Sequence, residues 1–127
     1  MTGTPTNLIQ SISLVPAARN ASANGTGVDL SNYGANSFNV LFGVVTDGTH
    51  TPKLQESSDN STFTDVAAAD QVGSFSAVTS SSGGSAGQSV GYIGALRYVR
   101  VVITVSGATT GALSTAYASL GKPRRAN

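Results

Sequence analysis

The 127 residues contain no cysteine and no tryptophan. Without thiols there is no disulfide, no thiol nucleophile and no thiolate metal site, and the redox compartment is left undetermined. Charge is also scarce. Asp, Glu, Lys and Arg make up 10% of the chain, against roughly 25% in ordinary soluble domains. The formal net charge is +1, which excludes a nucleic-acid clamp or a binder of anionic membrane surfaces acting through the whole chain. Long apolar runs are missing, and none approaches the ~20 residues of a membrane span. Met1-Thr-Gly-Thr-Pro5 has neither a basic region nor an apolar core, so no signal peptide is expected. A surface this poor in charge protects a free monomer weakly, and a chain inside an assembly tolerates that better than a cytosolic enzyme does.

Small residues and β-formers take the place of charge. The clearest signal lies at 96–105. Val99, Val101, Ile103 and Val105 share one parity, and Tyr98, Arg100, Val102 and Thr104 the other. Alternation with this composition predicts a central β-strand with the odd residues in the core. Ser37–Thr46 predicts a second strand, with Phe38, Val40, Phe42 and Val44 on one face. Its middle is apolar on both faces, which predicts a central position or an outer face covered by a partner. Leu8–Ala18 predicts a first strand with Ile12 and Leu14 together, broken near Pro16. Asn20–Gly27 reads as a loop, Val28–Leu30 as a short strand and Asp47-Gly48 as a turn. Thr49–Ser57 is a strand with Leu54 inward. Phe75 and Val78 mark one more, Ser80–Gly87 a flexible loop, and Leu113–Leu120 the last strand. Seven to eight short strands with turns between them predict a single-domain, all-β antiparallel sandwich, jelly-roll-like, over residues 8–121. Residues 1–7 read as a flexible N-terminal arm and 122–127 as a basic C-terminal tail.

No motif supplies a catalytic set. His50, the one histidine, has Asp47 nearby but no nucleophile, and predicts a solvent-exposed turn or interface residue. Asp59 and Asp65 lie among turn residues without EF-hand spacing, so capping roles are expected. No glycine-rich phosphate loop is present. The expectation is therefore a protein that is not an enzyme, with no cofactor and no metal. Arg97, Tyr98 and Arg100 predict either a solvated, cross-strand-paired face or a subunit contact. Lys122, Arg124 and Arg125 give a tail that is either solvated or docked on an acidic protein patch. Three such charges are too few for specific nucleic-acid binding.

Four pieces together carry a resemblance. They are Gly27-Val-Asp-Leu30; Asp47-Gly-Thr-His-Thr-Pro-Lys-Leu-Gln-Glu-Ser-Ser-Asp-Asn-Ser-Thr-Phe-Thr-Asp-Val66; Gly91-Tyr-Ile-Gly-Ala-Leu-Arg-Tyr-Val-Arg-Val101; and Leu120-Gly-Lys-Pro-Arg124. They resemble small capsid decoration, or cement, proteins of tailed bacteriophages and prophages, over about residues 11–124. Phe63 stands where similar sequences are expected to carry Trp. The resemblance implies a structural virion protein on the outer surface of the capsid, commonly a trimer, with the major capsid protein as partner. Thr4, Pro5 and Asn7 of the arm, with Arg97, Tyr98, Arg100, Lys122, Arg124 and Arg125, are then the expected partner-binding residues. The alternative is a carbohydrate- or ligand-binding sandwich module, for which the lack of Trp leaves a poor sugar-stacking platform.

Overall fold

The structure is a computed structural model that describes residues 8–82 and 87–121. Its strands are β1 (Leu8–Arg19), β2 (Ala23–Asn24), β3 (Val28–Asp29), β4 (Ala35–Val45), β5 (Thr49–Ser57), β6 (Thr64–Asp65), β7 (Gln71–Val72), β8 (Gly87–Tyr92), β9 (Tyr98–Ser106) and β10 (Ala112–Gly121). Every pairing is antiparallel. The first sheet runs β1-β10-β4-β8-β7. The second runs β2-β9-β5-β6, with β3 also paired to β9. The fold is thus the expected all-β sandwich, with ten strands among the described residues where the sequence predicts seven to eight. The surplus comes from pairings of two residues each. One of them, β2, lies inside the expected 20–27 loop.

The core forms where the inner faces meet. On β9, Val99, Val101 and Ile103 are fully buried, each paired across to β5. β10 alternates without a fault: Ser114, Ala116, Ala118 and Leu120 point inward, and Leu113, Thr115 and Tyr117 point outward. The alanines let Phe38, Val40 and Phe42 of neighbouring β4 fill the space between the sheets. Burial of such side chains is worth about 1.5–3 kcal/mol each.

Several expectations fail for identifiable reasons. Ile12 and Leu14 do not share a face, because β1 slips register between them: Leu14 is buried and Ile12 exposed. A second slip lies between Leu14 and Ala17. It absorbs Pro16, so β1 bends there and does not break. The carbonyls freed at this bulge are taken by the strand's own Arg19, whose guanidinium donates to Val15 O (2.7 Å) and to Ser114 O (2.6 Å) on β10. On β4 the parity changes after Phe42, leaving Val44 outside and Val45 inside. Phe75 and Val78 form no strand. Val78 makes an isolated bridge to His50. Val102, expected on the outer face of β9, is buried as well, although outside the core cluster.

Candidate functional site

The expected partner-binding residues of the arm and tail, Thr4, Pro5, Asn7, Lys122, Arg124 and Arg125, lie outside the described residues. Arg97, Tyr98 and Arg100 sit on the second sheet. Arg100 leaves β9 on the outer face and donates through Nε and Nη2 to Gln55 Oε1, at 3.0 and 2.7 Å. Gln55 passes the chain on to Asp65 Oδ1 (2.9 Å), which also pairs with Lys53 (3.0 Å). The Arg100 guanidinium lies 4.1 Å above the Phe63 ring. The side chain at the Trp-expected position is therefore a stacking platform on the surface. Arg97, at the strand entry, grips Asp29 with two hydrogen bonds (3.0 and 2.9 Å) and stands over Tyr98. Gln55 and Lys53 hold the Asp65 carboxyl below its usual range, and Arg97 does the same to Asp29. This is a cross-strand-paired face whose charged groups already have partners.

His50 contradicts its expectation. It is fully buried on the inner side of β5, edge-on to Phe42 at a ring distance of 6.0 Å. The reason is that β5 starts at Thr49, directly after the turn, and the Val78 bridge closes over its inner edge. Nε2 donates to Asp47 O (3.0 Å), and Nδ1 has no partner among the described residues. The Asp47 carboxylate turns away from the ring and accepts N–H bonds from Thr109, Thr110 and Gly111, the last at 2.6 Å. Those amides hold its carboxyl below the usual range. Asp59 caps its own turn by accepting from Ser61 N, Thr62 N and Ser57 Oγ. Asp47 and Asp59 thus have the capping roles that turn chemistry predicts, whereas Asp65, expected to cap as well, lies in β6 and is engaged by Gln55 and Lys53 instead. Among the described residues no group of three or more His, Asp or Glu could hold a metal ion.

One end of the sandwich carries a hollow of about 380 Å³ lined by Tyr33, Asn36, Tyr92 and Ile93. Two of its polar side chains are engaged by the fold. Asn36 exchanges two hydrogen bonds with the Tyr92 main chain, and Tyr92 OH donates to Glu56 while accepting from Leu96 N. Burial pushes the Tyr92 phenol up to about 12, with Glu56 adding to the shift. Asn36 and Tyr92, which a glycan would need, are therefore already committed.

The surface that sequence reasoning recognised only in part is the outer face of the first sheet. Ile12 and Val15 of β1, Leu113 of β10, and Leu41 and Val44 of β4 all face out, each between 43 and 70% exposed. The five strands of this sheet contain one charged residue, Arg19, folded onto the β1 bulge. Of the β4 contribution, Leu41 was legible in the two-sided apolar middle, and Val44 was not, because the parity change after Phe42 turns it outward. The β1 contribution was not, because the register slips that turn Ile12 and Val15 outward leave no periodic trace.

No family model matches the chain, and no curated protein matches its sequence. Among solved structures, the chain is similar to the PBSX exported protein XepA, with a TM-score of 0.60 and 19% identity. The likeness covers 94% of this chain and 39% of that one, and at this identity it speaks for the sandwich fold alone.

Proposed function

We propose that this chain is a structural protein of a phage particle. It acts as a capsid decoration protein that binds the outside of the head and stabilises contacts between major capsid protein subunits, as a homotrimer. The observation that carries the reading is the contrast between the two outer faces. One is polar with its charged groups paired, as suits solvent. The other is almost free of charge: beside a hydrogen-bonded cluster of Asn39, Ser37, Ser89 and Ser119 it exposes the apolar patch of Ile12, Val15, Leu41, Val44 and Leu113, as suits a neighbour. The sequence resemblance to decoration proteins supports the phage setting, and the sandwich shared with the PBSX exported protein XepA is consistent with it. The reading is non-enzymatic. Its mechanism is linkage: a protein that binds only the expanded shell stabilises that shell in proportion to occupancy, and an oligomer with several contacts gains avidity without new chemistry.

The test mixes the purified chain with bare expanded shells, pellets them and measures shell melting. Co-sedimentation with a raised melting temperature is expected. A chain left in the supernatant, with shell melting unchanged, contradicts the reading.

A further inference from the structure

We infer that the outer face of the first sheet is a self-association surface, and that its occupant is a second copy of this chain. The inference rests on the reading above only in taking the chain to be an oligomer.

The first argument is charge. The exposed residues Ile12, Val15, Leu41, Val44 and Leu113 offer nothing for an ionic partner to complement. A matching surface must itself be apolar and uncharged, and this chain presents one in the same face. The second argument is area. Five apolar side chains exposed to this degree leave on the order of 400 Å², the size of the largest, often functional, patch on an ordinary monomer. With Pro16, Ala18, Thr115 and Tyr117 around them, that supplies much of the ~800 Å² each partner buries in an ordinary interface.

The third argument is shape. Two shallow grooves, of about 290 and 160 Å³, cross this face. Pro16, Leu41 and Gly43 line the first, and Ala18, Val44 and Thr110 the second. Leu113 lines both, so it stands between them as a ridge. At Gly43 a Cβ would press on the Leu113 side chain at 3.2 Å, so the glycine keeps the groove beside the ridge open. The Leu113 ridge of one copy can therefore seat in the groove of the next, a head-to-tail contact of the kind that closes a ring such as a trimer.

The fourth argument is that association through strand edges is obstructed. Thr26 bonds Ser13 O at the free edge of β1. The Gln88 side chain bonds both main-chain groups of Ser76 beside β8. At β5 the Val78 bridge and the donor-less Pro52 do the same work. Copies are left to meet face to face.

Size-exclusion chromatography with light scattering, on the full chain at tens of micromolar, provides the test. The expected result is a mass that is a multiple of the 12.7 kDa chain. Leu113→Lys and Val44→Glu should each reduce it to the monomer. Both positions are exposed, so circular dichroism melts should match the parent. Thr104→Glu, on the opposite outer face, should leave the oligomer intact. A parent chain that is monomeric overturns the inference, and so does an oligomer indifferent to both variants. A monomer that still binds shells overturns this inference while leaving the decoration role standing.

Discussion

Ser13 Oγ lies 3.0 Å from Val101 N and accepts its hydrogen bond, joining the edge strand of one sheet to the central strand of the other. The same hydroxyl donates to Thr26 O at 2.9 Å, and Gly25 N donates to Val101 O at 2.8 Å. Gly25 fits there because a Cβ would collide with Ser13 Oγ and Val101 O. Ser13→Ala strands a buried donor, which costs about 1–3 kcal/mol. Gly25→Ala forces the junction apart and should cost more. Urea melts of the two variants check both the size and the order. A neutral Ser13→Ala would mean that the Ser13 hydroxyl adds nothing to what the Gly25–Val101 main-chain bond and side-chain packing supply.

Val101→Asp should abolish folding, because an unpaired carboxylate in the core costs several kcal/mol against a total stability of about 5–15. Val102→Asp should be milder. Val102 is buried outside the core cluster, and its cross-strand neighbour is Lys53, whose ammonium can approach a new carboxylate. Circular dichroism melts decide it. Equal losses, or the reverse order, would contradict the inward parity of β9.

Arg19→Met should cost about 1–3 kcal/mol, since the carbonyls of Val15 and Ser114 lose a charged donor at the bulge. Arg19→Lys should recover only part of this. A single ammonium cannot span two carbonyls as the planar guanidinium does. Thermal melts that rank Lys level with Met or with the parent would show that the fork geometry is unimportant.

These residues also mark how far the sequence reaches. The β9 and β10 alternations were readable because the side chains of each keep an in-and-out pattern over most of the strand, and the sandwich followed from them. The β1 slips were hidden: they depend on Arg19 meeting Ser114, 95 positions away. His50 was misread because its cover, Val78, comes from a segment with no strand pattern of its own. Pairings of two residues such as β2 and β6 are too short to show a period. Parity correctly put Arg100 and Tyr98 on an outer face. The Phe63 stack beneath Arg100, and the pairing that makes this face self-contained, depend on tertiary geometry.

Acid should weaken the fold through the turn carboxylates. The Gly111 and Thr110 amides hold Asp47 below the usual carboxylate range, and the Thr62 and Ser61 amides do the same for Asp59. The unfolded chain, with carboxyl values near 3.9, then takes up protons before the folded one does. Their contribution is complete above the unfolded value and is lost as pH falls through the folded values. Melting temperature should therefore be flat from pH 7 to about 5 and drop below about pH 4. Asp47→Asn should flatten part of that drop. A melting temperature that rises in this acid range would contradict the capping assignment.

The decoration role is tested most directly by quantifying this chain, by mass spectrometry, in particles purified from the phage or prophage that encodes it. The proposed role predicts a copy number comparable with that of the major capsid protein, removable by external protease without opening the head. Absence from purified particles, with the chain recovered instead in the surrounding medium, would contradict it.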